Sequence, residues 1–193
     1  TYVSEHQGVR SSDDVAPQSE VTTPASLPRG EHPEQSVKWC DTPEGAAVPS
    51  IEPWGPVRVF EGEGARVVRT VREQADGTAY QRVELPVDPV VHDTETCLPR
   101  GMIGILLDGT VVTPETKITP TADGLLGYAL DGFPLYAPYE DGREIVQSDL
   151  DRCHGHVHEI VDQGVVRSLY HYHITEEYPY SIACFRGTPV SLP

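Results

Sequence analysis

Cys153-His-Gly-His-Val-His-Glu-Ile-Val-Asp-Gln-Gly-Val-Val-Arg-Ser-Leu-Tyr-His-Tyr-His173 holds five of the chain's eight histidines, and its reading decides the fold. Side chains two apart on a strand share a face. Alternation therefore groups His154, His156 and His158 on one strand and His171 and His173 on another, with Tyr170 and Tyr172 facing the other way. Between the two runs, β-branched residues flank Asp162-Gln-Gly164, the pattern of a hairpin closed by a tight turn. A loop of Gln163-Gly164 sets Asp162 opposite Val165, His156 opposite His171 and His154 opposite His173. Such cross-strand neighbours have Cβ atoms about 4.5–5.5 Å apart, close enough for two imidazoles to reach one metal ion. A three-residue loop would shift the register by one and send the two histidine sets to opposite faces.

Working outward, the same grammar recurs. Val57-Arg-Val-Phe60 and Ala65-Arg-Val-Val-Arg-Thr-Val71 alternate around the turn Glu61-Gly-Glu-Gly64, and Tyr80-Gln-Arg-Val-Glu-Leu85 adds a third antiparallel strand after Ala75-Asp-Gly77. Met102–Leu107 and Leu125–Leu130 are short apolar runs. Each ends in Leu-Asp-Gly and is followed by a second short strand, Thr110–Thr113 or Phe133–Tyr136. Glu140-Asp-Gly142 is a further turn. No segment of twelve or more residues carries a capped 3.6-residue period, so helix is limited to short pieces near 94–97 or 148–152. The expected fold is mainly β, antiparallel sheets or a sandwich built from consecutive hairpins. Residues 1–37, rich in Ser, Thr, Pro, Glu and Gly, read as a flexible tail, and 38–193 as a single β domain that begins near Trp39-Cys40.

The 193 residues suffice for one domain with a substantial core. Thirty acidic against fourteen basic residues give a formal charge of −16, which argues against nucleic acid or an anionic membrane as partner and favours cations. No run of eighteen apolar residues marks a transmembrane segment. The sequence names no protein partner. The four cysteines, with no C-x-x-C pair, suit two disulfides in an exported protein better than a zinc knot. Four cysteines allow three connectivities. Adjacency to the histidine hairpin favours Cys153 with Cys184, which leaves Cys40 with Cys97.

Several unusual blocks follow one another in the last third of the chain: Gly127-Tyr-Ala-Leu-Asp-Gly-Phe-Pro-Leu-Tyr136, Leu150-Asp-Arg-Cys-His-Gly-His-Val-His-Glu159, Tyr170-His-Tyr-His173, Tyr178-Pro-Tyr180 and Cys184-Phe-Arg-Gly187. In their order they resemble the YHYH-domain family, as does the earlier block Ile103-Gly-Ile-Leu-Leu-Asp-Gly109. The resemblance implies an exported bacterial protein, secreted, periplasmic or at the cell surface, and implies no particular reaction. Many relatives carry a histidine-rich segment between the blocks matching Asp108 and Gly127. Here that interval has no histidine, which speaks against a second site.

A His-Tyr alternation also describes a half-buried strand with tyrosines in the core and histidines at a polar surface. Five histidines on two pairable strands favour a transition-metal site made from His154, His156, His158, His171 and His173, because neutral imidazole ligates copper, zinc, nickel and iron. His156 and His171 are the expected central pair, completed by His173 or His154, with His158 an outer or exposed residue. Asp151, Glu159, Tyr170 and Tyr172 border the cluster as candidate partners that orient a ring. Asp131, before Gly132, reads as a turn residue. His6, His32 and His92 take no part. Imidazoles without free thiolate or more than one thioether suit copper(II), then zinc(II), rather than a Cu(I) carrier or calcium. The leading functional expectation is sequestration or delivery of the ion. The alternatives are an enzyme with three histidines and an open coordination position, and a surface interaction module whose histidines brace the fold.

Overall fold

A computed structural model of the chain describes residues 37–41, 55–74, 77–119, 123–162 and 164–192. The expected tail lies outside these residues except for Val37, which is buried in the core. The fold is mainly β. Strands β1 (Arg58–Gly62), β2 (Ala65–Gln74) and β3 (Gly77–Pro86) form an antiparallel meander, as the alternation implies. Arg66, Val68 and Thr70 share its buried face, and Val68 pairs with Val83 and Arg66 with Leu85. A buried arginine needs partners. Arg66 finds them in Glu61 Oε1 (2.8 Å), the carbonyl of Gly132 (3.0 Å) and the ring of Tyr128, 4.1 Å from its guanidinium carbon. These contacts tie the meander to the second sheet, and both contribute to one apolar cluster that includes Val68, Leu85, Ile103, Phe133 and Tyr172.

The second sheet is built from β4 (Gly104–Leu106), β5 (Val111–Val112), β6 (Leu125–Ala129), β7 (Pro134–Tyr136), β10 (Gly155–Asp162) and β11 (Val165–His173), in the order β10-β11-β7-β6-β4-β5. A two-stranded ribbon, β8 (Tyr139–Glu140) and β9 (Arg143–Glu144), follows β7. The two Leu-Asp-Gly turns are alike. In each, the glycine N–H donates to the carbonyl three residues back (3.0 Å), and the aspartate Oδ1 accepts the amide two residues on. The expected helical pieces reduce to one 3-10 turn at Gln147–Asp149, with none at 94–97. No helix among the described residues is long and apolar enough to cross a membrane.

One pairing departs from the all-antiparallel expectation. β11 runs parallel to β7, with Tyr172 against Leu135 and His173 against Tyr136. The intervening chain is long enough to cross over, and a hairpin grammar read turn by turn does not see such a pairing. The cysteines pair as adjacency favoured, Cys40 with Cys97 and Cys153 with Cys184. They close loops of 57 and 31 residues. On the chain-entropy account each contributes about 4 kcal/mol by restricting the unfolded chain.

Candidate metal centre

The histidine hairpin has the register that a two-residue loop dictates. Asp162 lies opposite Val165, His156 opposite His171 and Val157 opposite Tyr170. Alternation then gives β11 two unlike faces. On one, His171 and His173 have fully buried rings. On the other, Tyr170 and Tyr172 pack edge-on against Phe133, with ring centroids 5.0 and 6.1 Å away.

The imidazole face receives a carboxylate from outside the hairpin. The parallel pairing lays Tyr136 beside His173, and the chain leaving β7 turns over the imidazoles into the β8–β9 ribbon. Its two-residue turn, Asp141-Gly142, has φ of 50° and 75°, the left-handed pair that glycine adopts without strain and aspartate tolerates. This tight reversal leaves Glu140 as the last strand residue before the turn. Its Oε1 lies 2.6 Å from His171 Nε2 and 3.1 Å from His173 Nε2, and its Oε2 lies 3.1 Å from His156 Nε2. The Nε2 atoms of His156 and His173 are 3.2 Å apart. One donor atom from each of Glu140, His156, His171 and His173 falls within 4.8 Å of every other.

The opposite edges of two rings are committed. His171 Nδ1–H donates to the carbonyl of Leu169 (3.0 Å) and His173 Nδ1–H to that of Ala137 (2.7 Å). A carbonyl only accepts, so Nδ1 carries a proton and, whenever the ring is neutral, Nε2 presents a lone pair toward Glu140. Burial pushes His171 below its ordinary pKa, the adjacent Glu140 carboxylate opposes that fall, and His173 and His156 add to it. Burial works to raise Glu140, but the surrounding imidazoles of His156, His171 and His173 override it and hold the carboxyl well below the usual carboxylate range. An ionised carboxylate thus faces, at His171, a ring whose protonation burial disfavours, lone pair toward lone pair. A cation among the four donors resolves that conflict, and an N₃O set at these separations suits an ion whose bonds are about 2.0–2.2 Å long.

Of the five grouped histidines, the structure brings together His156, His171 and His173. His158 sits at the margin, its Nδ1 3.5 Å from Glu140 Oε2 and its ring stacked on that of His156 at 5.8 Å. His154 is elsewhere. It precedes the first strand residue and has φ of 77°, so strand alternation does not reach it. Its Nδ1 meets the carbonyl of His173 at 3.2 Å, its Nε2 lies 3.4 Å from Thr175 Oγ1, and burial lowers its pKa to about 4.

Among the described residues, none of the four bordering side chains bonds an imidazole of the cluster. Glu159 is exposed on the opposite face of β10. Asp151 accepts the amides of Cys153 (2.8 Å) and Gly155 (3.1 Å) and the Tyr170 hydroxyl (3.1 Å), closing the loop that leads into β10. The Tyr172 hydroxyl donates to Asp131 Oδ2 (2.7 Å) and accepts the Arg186 amide (2.7 Å). Asp131, read as a turn residue, also accepts the Gly187 amide (3.0 Å), and burial pushes its carboxyl up to about 6. Gly155 is what lets the two faces coexist, since a Cβ there would stand 2.4 Å from Tyr170 Oη and 2.6 Å from the carbonyl of His171.

The residue that sequence reasoning missed is Glu140. Its one local signal, a carboxylate before Asp-Gly, is the mark of a solvated turn. Beside the four donors opens a cleft of about 370 Å³, lined by Glu140, Asp141, Arg143, His156 and His158 among others. Compared with protein-family models, curated proteins and solved structures, the chain finds no match.

Proposed function

We propose that Glu140, His156, His171 and His173 hold one divalent transition-metal ion, and that the protein sequesters or delivers that ion outside the cytoplasm. The observation that carries this reading is the convergence of three Nε2 atoms on one ionised carboxylate while the Nδ1 protons of His171 and His173 are spent on backbone carbonyls. Four protein donors fill a tetrahedral sphere, which favours holding the ion over activating a substrate on it. All four cysteines are in disulfides, so no thiolate competes for a softer metal. An N₃O set binds copper(II) most tightly among the available divalent ions, with zinc(II) next in practical importance. The two disulfides support an oxidising compartment, and the resemblance to YHYH-domain proteins points the same way.

The test is elemental analysis of untagged protein purified without a metal column, followed by titration with copper(II) and zinc(II). One tightly held equivalent per chain is expected. A parent protein that binds neither ion overturns the reading and returns the histidines to a structural role.

A further inference from the structure

An ion bound by the four donors is closed off on one side. The rings of His171 and His173 are fully buried beneath the ribbon, whereas Glu140 and His156 line the cleft. Entry therefore runs through the cleft, past His158. This residue follows His156 by two on the same face of β10, and its side chain is 37% exposed. Its two ring nitrogens face different carboxylates. Nδ1 lies 3.5 Å from Glu140 Oε2, the same oxygen that faces His156, and makes no hydrogen bond among the described residues. Nε2 lies 3.5 Å from Oδ2 of Asp141, whose side chain is 85% exposed. Among the described residues, the one arginine lining the cleft, Arg143, is paired with Asp149 Oδ2 at 2.7 Å.

Resting on the metal reading above, we propose that His158, with Asp141, is the entry ligand through which the ion is loaded and released. Stripping a hydrated ion of its water in one step is costly, and replacing the waters one donor at a time lowers that cost. Asp141, His158 and Glu140 form a file of donors from solvent to the buried pair, with no gap above 3.5 Å. A residue that touches the ion only in passage lowers the barrier in both directions and leaves the equilibrium alone.

The test is stopped-flow kinetics on the full chain with zinc(II) as the probe: loading of the metal-free protein, release to excess chelator, and Kd by competition. His158→Gln is expected to slow loading and release together by about tenfold, about 1.4 kcal/mol on the barrier, with Kd unchanged within error. Asp141→Asn, which keeps a residue tolerant of the left-handed backbone, should slow both by less and provides the test if His158→Gln folds poorly. Unchanged rates in these variants overturn the proposal. So does faster release with unchanged loading, which would make His158 a permanent ligand. Failure of the parent protein to bind zinc(II) removes the four-donor reading itself, whereas failure confined to the variants' kinetics removes only the entry role.

Discussion

β11 presents imidazoles to one carboxylate and phenols to two others, and the carboxylates respond in opposite ways. On the histidine face, Glu140 is held well below its ordinary pKa, because the three rings around it outweigh its burial. On the tyrosine face, Asp131 is fully buried, and desolvation outweighs the hydroxyl and amides that it accepts, so its carboxyl rises to about 6. Asp151, sharing that side with Tyr170, is also raised by burial. The difference teaches what each face is for. A carboxylate kept ionised among three imidazole nitrogens offers a cation a set of donors. One whose charge is penalised, and whose acceptors are spent on hydroxyls, backbone amides and, for Asp151, the Arg186 guanidinium, is fold-building.

The largest expected effect breaks the comparison at the metal. His171→Ala and Glu140→Gln should each weaken copper(II) or zinc(II) binding by about a hundredfold or more, about 2.7 kcal/mol, while Tyr172→Phe leaves affinity near that of the parent. Competition titration of the three variants reads this directly. Equal losses in all three would mean that affinity follows general stability rather than the four donors.

The second expectation concerns pH, and its signs are opposed. Asp131, raised above its unfolded value of 3.8, contributes stability that is full below about pH 4 and is lost as pH rises through about 6. The shift corresponds to on the order of 3 kcal/mol. Glu140, lowered in the fold, contributes stability present above pH 4.5 that is lost as pH falls. Denaturant unfolding of metal-free protein between pH 4 and 7 should therefore show Asp131→Asn gaining relative to the parent as pH rises. Glu140→Gln should lose relative to the parent as pH rises through about 4.5 and hold level above that. Parallel curves for the two variants would contradict the contrast.

Smaller effects sharpen it. Tyr172→Phe leaves Asp131 and the Arg186 amide without the hydroxyl between them and should cost about 1–3 kcal/mol of stability. Gly155→Ala touches both faces at once, crowding Tyr170 and the backbone of His171. About 1–3 kcal/mol of destabilisation is expected, together with a measurable loss of metal affinity as His171 shifts. A Gly155→Ala protein that loses stability but binds metal like the parent would show that the faces are independent.

How far the sequence carries depends on whether the deciding contact is local. The 156–171 pairing, the β1–β3 meander and the disulfides were legible because turn chemistry, a period of two and adjacency act within a few residues or across one hairpin. His154 was misplaced because alternation was extended one residue past the strand, across a left-handed backbone angle that sequence does not display for histidine. Glu140 was read as turn chemistry because its approach depends on β7 and β11 pairing in parallel. Asp131 makes the same Asx turn as Asp108, yet Asp108 is exposed and Asp131 is drawn into the core by Tyr172 and Gly187. Residue type alone does not distinguish the two.

One ion is expected among Glu140 and the three imidazoles of two paired strands. Anomalous diffraction from crystals grown with copper(II) or zinc(II) tests it most directly. The expected result is a single strong peak about 2.0–2.2 Å from a Glu140 oxygen and from Nε2 of His156, His171 and His173. A peak that omits Glu140 or His171, or the absence of any peak at the hairpin, would contradict it.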